Sequence, residues 1–146
     1  MMKAIELSQY IPYPPKKVWE ALTTPELIQQ WWAKGDIQPK VGHQFTLDMG
    51  SFGVQHCLVK VADKEILFEY DFAIGVLDTT LRWQLIPQGE GTLLQLKHSG
   101  FNENSSLRQQ AFIGMRKGWP QILSRIESVI SNYKKNRVKE YFSHPC

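Results

Sequence analysis

The sequence predicts an α+β fold: a curved antiparallel sheet of about six strands, with one long amphipathic helix laid in its concave face. Three observations carry this. From Leu107 to Tyr133 the apolar residues (Leu107, Ala111, Met115, Trp119, Ile122, Leu123, Ile126, Val129, Ile130 and Tyr133) recur at steps of three and four, one face of a helix. From Val41 to Phe101 the pattern changes to apolar–polar alternation broken by short turns, an antiparallel meander. The order of one strand, two short helices, strands and a closing helix keeps sheet and long helix apart in the chain, as α+β architecture requires.

Lys3–Ile11 reads as the first strand, and Pro14-Pro15 ends it. Lys16–Leu22 then sets Val18, Trp19 and Leu22 on one helical face. Thr24-Pro25-Glu26 starts a second short helix, with Thr24 as N-cap, Pro25 at the first helical position and Glu26 at the positive end. Leu27 with Trp31, and Ile28 with Trp32, are spaced to share its sides. Gly35 and Pro39 break the pattern.

Phe45, Leu47 and Met49 define the next strand. Phe52–Val61 has two plausible inward sets, Val54/His56/Leu58 or Cys57/Val59/Val61, which suggests a bulge or burial on both sides. Ile66, Phe68, Tyr70 and Phe72 alternate against Glu69 and Asp71. Leu77, Thr79, Leu81, Trp83 and Leu85 alternate against Asp78, Thr80, Arg82 and Gln84. A turn over Pro87–Gly91 leads to Leu94, Leu96 and His98. The last helix is roughly 40 Å long at ~1.5 Å per residue and needs a large apolar surface to lie on. Pro120 inside it lacks an amide donor and crowds the preceding turn, so a kink or restart is predicted at Gly118–Pro120. Leu107–Trp119 then reads as the half able to move, and Leu123–Tyr133 as the anchored half.

At 146 residues the chain is one domain's worth, read as residues 1–135 with a tail over 136–146 that continues as a frayed helix end. A net charge of +3 is too small to argue for nucleic acid. No apolar run approaches the ~18 residues of a membrane span, and no signal peptide is visible. Cys57 and Cys146 lie far apart, so a structural disulfide is not expected and a reduced, cytoplasmic setting is. The sequence is compatible with a homodimer.

Several local patterns converge on one family. They are Pro15-x-x-Val18-Trp19-x-Ala21-Leu22-Thr23-x-Pro25-Glu26 with Trp32, Val41-Gly42, Leu85-x-Pro87 to Gly91-Thr92, His98-Ser99-Gly100-Phe101, and Gly118-Trp119 with Leu123. Together they resemble the heat-shock ATPase activator homologues, within the START-like superfamily of helix-grip folds that also holds the birch pollen allergen and polyketide cyclases. The resemblance covers roughly residues 4–133. It implies a deep, largely apolar cavity between sheet and long helix and the binding of small hydrophobic or aromatic molecules. Fold alone does not fix activity.

The expected cavity wall is Phe45, Leu47, Phe68, Tyr70, Leu81, Trp83, His98, Met115, Trp119 and Leu123, with Trp31 and Trp32 near the mouth. The polar tips of Tyr70, Trp83 and His98 would orient a ligand. His43, His56, His98 and His144 show no ligand pairing, so no metal is expected, and no cofactor is called for. Glu69, Asp71, Asp78, Arg82 and Asp48 have outward parity, leaving no paired carboxylates inside. Cys57 has no flanking activator and reads as an inert thiol. The sequence therefore favours non-catalytic binding of a small lipophilic or aromatic molecule. The alternatives are a cyclase- or hydrolase-like enzyme using the same cavity and an interaction module that activates a chaperone ATPase.

Overall fold

A computed structural model describes the backbone of residues 2–143 and side chains as far as Tyr133. The elements run β1 (Met2–Ile11), α1 (Pro15–Thr23), α2 (Pro25–Trp31), β2 (Lys34–Gly35), β3 (Gln44–Asp48), a 3-10 turn (Gly50–Phe52), β4 (Val54–Asp63), β5 (Leu67–Phe72), β6 (Thr79–Gln88), β7 (Gly91–Asn102) and α3 (Ser106–Ser143). All pairings are antiparallel, in the order β1-β7-β6-β5-β4-β3-β2. The first strand thus crosses over to pair with the last. This is the expected α+β helix-grip arrangement, with seven strands rather than about six. The extra one is the two-residue β2, which exists because Gly35 has no side chain: a Cβ there would run into the Thr46 carbonyl.

The inner face of the sheet follows the alternation closely. Phe68, Tyr70 and Phe72 of β5, Thr79, Leu81, Trp83 and Leu85 of β6, and Leu94, Leu96 and His98 of β7 are all buried. Ile66 is a correction: it is exposed, because it belongs to the turn before β5. Its N–H bonds the Asp63 carbonyl, and Glu65 beside it has φ 65°. In β4 the inward set is Cys57 and Val59, and a register shift follows between Val59 and Val61, the anticipated bulge. Val54 and His56 are exposed.

Thr24 occupies the N-cap of α2 in an extended conformation, but its hydroxyl makes no capping bond. The Leu27 N–H that a side-chain cap would take is held instead by the Thr24 carbonyl at 3.0 Å. At the other end of the chain α3 does not restart at Gly118–Pro120; it is one helical element with Pro120 inside. The proline is exposed, and the carbonyl it leaves without a donor is that of exposed Arg116, where water can take the missing bond. Trp119, Leu123, Ile126, Val129 and Ile130 are buried on the opposite side and hold the helix to the core. The helical backbone continues past Lys135, so Asn136–Ser143 is an extension of α3. The side chains of that tail, with His144 and Cys146, lie outside the described residues.

Candidate functional site

Pleating brings the inner rows of β3 to β7 onto one concave wall, and α3 lays Trp119 and Leu123 against it. Cross-strand neighbours on this wall include Phe68 with Trp83, Tyr70 with Leu81, Trp83 with Leu96 and Leu81 with His98. Phe45 and Leu47 of β3 extend it and are buried. The aromatic rings interlock. Trp83 meets Trp119 edge-on at 5.6 Å and Trp31 at 5.6 Å, Phe45 meets Tyr70 at 5.1 Å, and Phe68 meets Tyr70 at 5.2 Å between ring centres. Met115 is half-buried against the same cluster.

Two polar chains run through this wall. The Trp119 indole, which can only donate, gives its N–H to His98 Nδ1 at 3.0 Å. That contact assigns the proton of neutral His98 to Nε2, which donates to Thr79 Oγ1 at 2.9 Å. The Thr79 hydroxyl passes its own proton to the Phe72 carbonyl at 3.3 Å. Burial lowers the His98 pKa to about 3, so the ring is neutral at physiological pH. In the second chain the Trp83 indole donates to the Tyr70 hydroxyl at 3.1 Å. Burial, with Cys57 nearby, raises the Tyr70 pKa well above its ordinary value. The Tyr70 proton has no acceptor among the described residues.

The two tryptophans expected at the mouth part company. Trp31 is a core residue, with its indole on the Ala21 carbonyl at 2.9 Å. Trp32 ends α2 with non-helical backbone angles and is half-buried. It lies 5.0 Å from Trp119 and 5.6 Å from Phe72 between ring centres. Its indole N–H has no hydrogen-bond partner among the described residues, while its backbone N–H donates to the Ile28 carbonyl at 2.8 Å.

Cys57 is buried and its pKa is pushed up to about 12, chiefly by desolvation, which leaves it a poor nucleophile. Asp78 pairs with Arg108 at 3.5 Å and Asp71 with Lys60 at 3.6 Å, both at the surface. Among the described residues no three His, Cys, Asp or Glu side chains converge as metal ligands would. One recess escaped the sequence reading: about 150 Å³ between the start of α1 and the second half of α3, lined by Tyr13, Pro14, Lys17, Glu20, Leu27, Ile130 and Tyr133. Its walls come from elements far apart in the chain, with no shared period to reveal it.

No helix among the described residues is long and apolar enough to cross a membrane. Protein MLL2253 from Mesorhizobium loti is similar at 29% identity over 89% of this chain and 98% of that one, with a TM-score of 0.78. CalU16 from Micromonospora echinospora is similar at 24% identity over 95% and 83% of the two chains, with a TM-score of 0.71. The Aha1 dimer from Colwellia psychrerythraea shares the fold at 19% identity over 88% and 96%, with a TM-score of 0.71. No curated protein matches. The sequence profile of the family described as "Activator of Hsp90 ATPase homolog 1-like protein" matches residues 12–131, and the chain belongs to that family.

Proposed function

We infer that the protein binds a small lipophilic or aromatic molecule between the concave face of the sheet and α3, without performing chemistry on it. The observation that carries this reading is Trp32. Trp31, Trp83 and Trp119 are each buried and fastened by an indole hydrogen bond. The Trp32 side chain is held on Trp31, Phe72 and Trp119 by ring contacts and reaches solvent. With no indole hydrogen bond to break, it can swing aside and yield its place on those rings to a ligand ring, which replaces the ring contacts it gives up. Each 100 Å² of ligand apolar surface removed from water would contribute roughly 2–3 kcal/mol. Beyond Trp32 the wall is apolar, with Tyr70, Trp83 and His98 as its polar tips.

Binding is favoured over a cyclase-like reaction because the groups that would act on a substrate are committed. Both ring nitrogens of His98 are engaged, and burial keeps it uncharged across the neutral range. Native mass spectrometry of the purified protein, with thermal shift against a lipophilic panel, tests the reading. A bound mass or a shift is expected, and Trp32→Ala, which vacates that place beforehand, is expected to bind at least as tightly as wild type. No bound mass and no shift from any member would overturn it. A rise in chaperone ATPase rate on adding the protein would favour the activator alternative instead.

A further inference from the structure

The inner row of β4 reads Gln55, Cys57, Val59. Cys57 and Val59 are buried apolar neighbours of the wall, and Gln55 sits opposite buried Leu47 of β3, on the same face. Its carboxamide is asymmetric in its partners. Nε2 donates to the Phe52 carbonyl at 2.9 Å. Oε1 is shut off from solvent and has no donor; among the described residues it is the single buried side-chain oxygen or nitrogen so placed. Turning the amide over would set two acceptors against each other at Phe52, so the orientation is fixed by the turn that follows β3. An acceptor buried without a donor is a net cost to the fold, and a bound molecule that supplies the donor offsets it.

We propose that Gln55 Oε1 is a specificity subsite for an N–H or O–H donor on the bound molecule. This rests on the ligand-binding reading and deepens it: the ligand is a flat apolar body carrying one donor, such as a phenol, rather than a plain hydrocarbon or an ether. The apolar body meets the aromatic wall, and the donor completes the one acceptor left open on that wall's β4 side. Recognition of this kind discriminates sharply, because a ligand lacking the donor leaves the carbonyl as orphaned as it was before.

A matched pair of probes tests the subsite, 2-naphthol against 2-methoxynaphthalene, followed by quenching of tryptophan fluorescence. The wild-type protein is expected to bind 2-naphthol about 5–10-fold more tightly than the methyl ether, the range of one neutral hydrogen bond. Gln55→Leu is expected to erase that preference, with a melting midpoint at or above wild type. The Gln55 carboxamide resonances should move with 2-naphthol and not with the ether. Equal binding of the two probes, or a preference that survives Gln55→Leu, overturns the subsite and leaves the ligand reading standing. Binding of neither probe also overturns the subsite, and together with a silent lipophilic panel it removes the reading beneath it.

Discussion

His98 sits at the point where chain chemistry and acid stability meet. Its folded pKa is about 3 against an ordinary 6.5, so between those values the unfolded chain holds a proton that the folded one does not. Stability must therefore rise with pH through that window; it is fully present above pH 6.5 and is lost progressively toward pH 3. The limit is roughly 5 kcal/mol for a shift of this size. His98→Gln can still accept from Trp119 and donate to Thr79 but cannot titrate. It is expected to cost about 1–3 kcal/mol at pH 7 and to flatten the acid limb of urea midpoints measured from pH 7 to pH 4. An unchanged acid limb would assign the acid sensitivity to other groups. The inward parity of His98 was legible from Leu94 and Leu96. That Trp119 faces its row was legible too, but the indole–imidazole hydrogen bond was not, because no period links two side chains 21 residues apart on different elements. Ile66 misled for a local reason: alternation was carried one residue too far, into a turn whose Glu65 takes a left-handed conformation. Gln55 was missed because both faces of its strand were plausible until the bulge after Val59 decided between them.

At the scale of elements, α3 tests how far local propensity yields to packing. Pro120 and Gly118 both disfavour helix, yet the helix is continuous, because the buried stripe from Trp119 to Ile130 fastens one side and water can satisfy the other. Added methyls are tolerated, since a Cβ at Gly118 would meet only Ile122 Cδ1 at 3.9 Å. Pro120→Ala is therefore expected to stabilise the protein by about 1–2 kcal/mol, and Gly118→Ala by roughly 0.5–1 kcal/mol, read as urea midpoints. The two halves of α3 differ in anchorage: Leu107 and Ile113 are exposed in the first, while Leu123, Ile126 and Ile130 are buried in the second. Amide hydrogen exchange is accordingly expected to run faster before Pro120 than after it. Equal protection on the two sides would remove the idea that the first half opens. The helix itself was plain in the sequence from its 3.6-residue stripe. Its unbroken course was not, because a proline's cost depends on whether its face is wet.

For the whole molecule, the sheet order makes the fold interdependent. β7 is flanked by β1 on one side and β6 on the other, so deleting residues 2–11 would strip one partner from β7 and expose the core beneath Ile5 and Ile11. Such a deletion is expected to abolish the cooperative thermal transition. A chain ending at Lys135 is expected to keep its melting midpoint within about 2 °C, since the described core closes at Ile130 and Tyr133. Loss of that midpoint would place structural weight in 136–146. The layered architecture was legible because element order and alternation suffice for it. The crossover was not, since alternation carries no information about which strand meets which. That crossover also sets a schedule at the ribosome. About 80 residues separate the end of β1 from the start of β7. At roughly 5–20 residues per second the first strand emerges several seconds before its partner. Its pairing edge and inner face stay uncovered until about two-thirds of the chain has been made. The charged and polar residues set along it, Lys3, Glu6, Ser8 and Gln9, keep that waiting strand soluble.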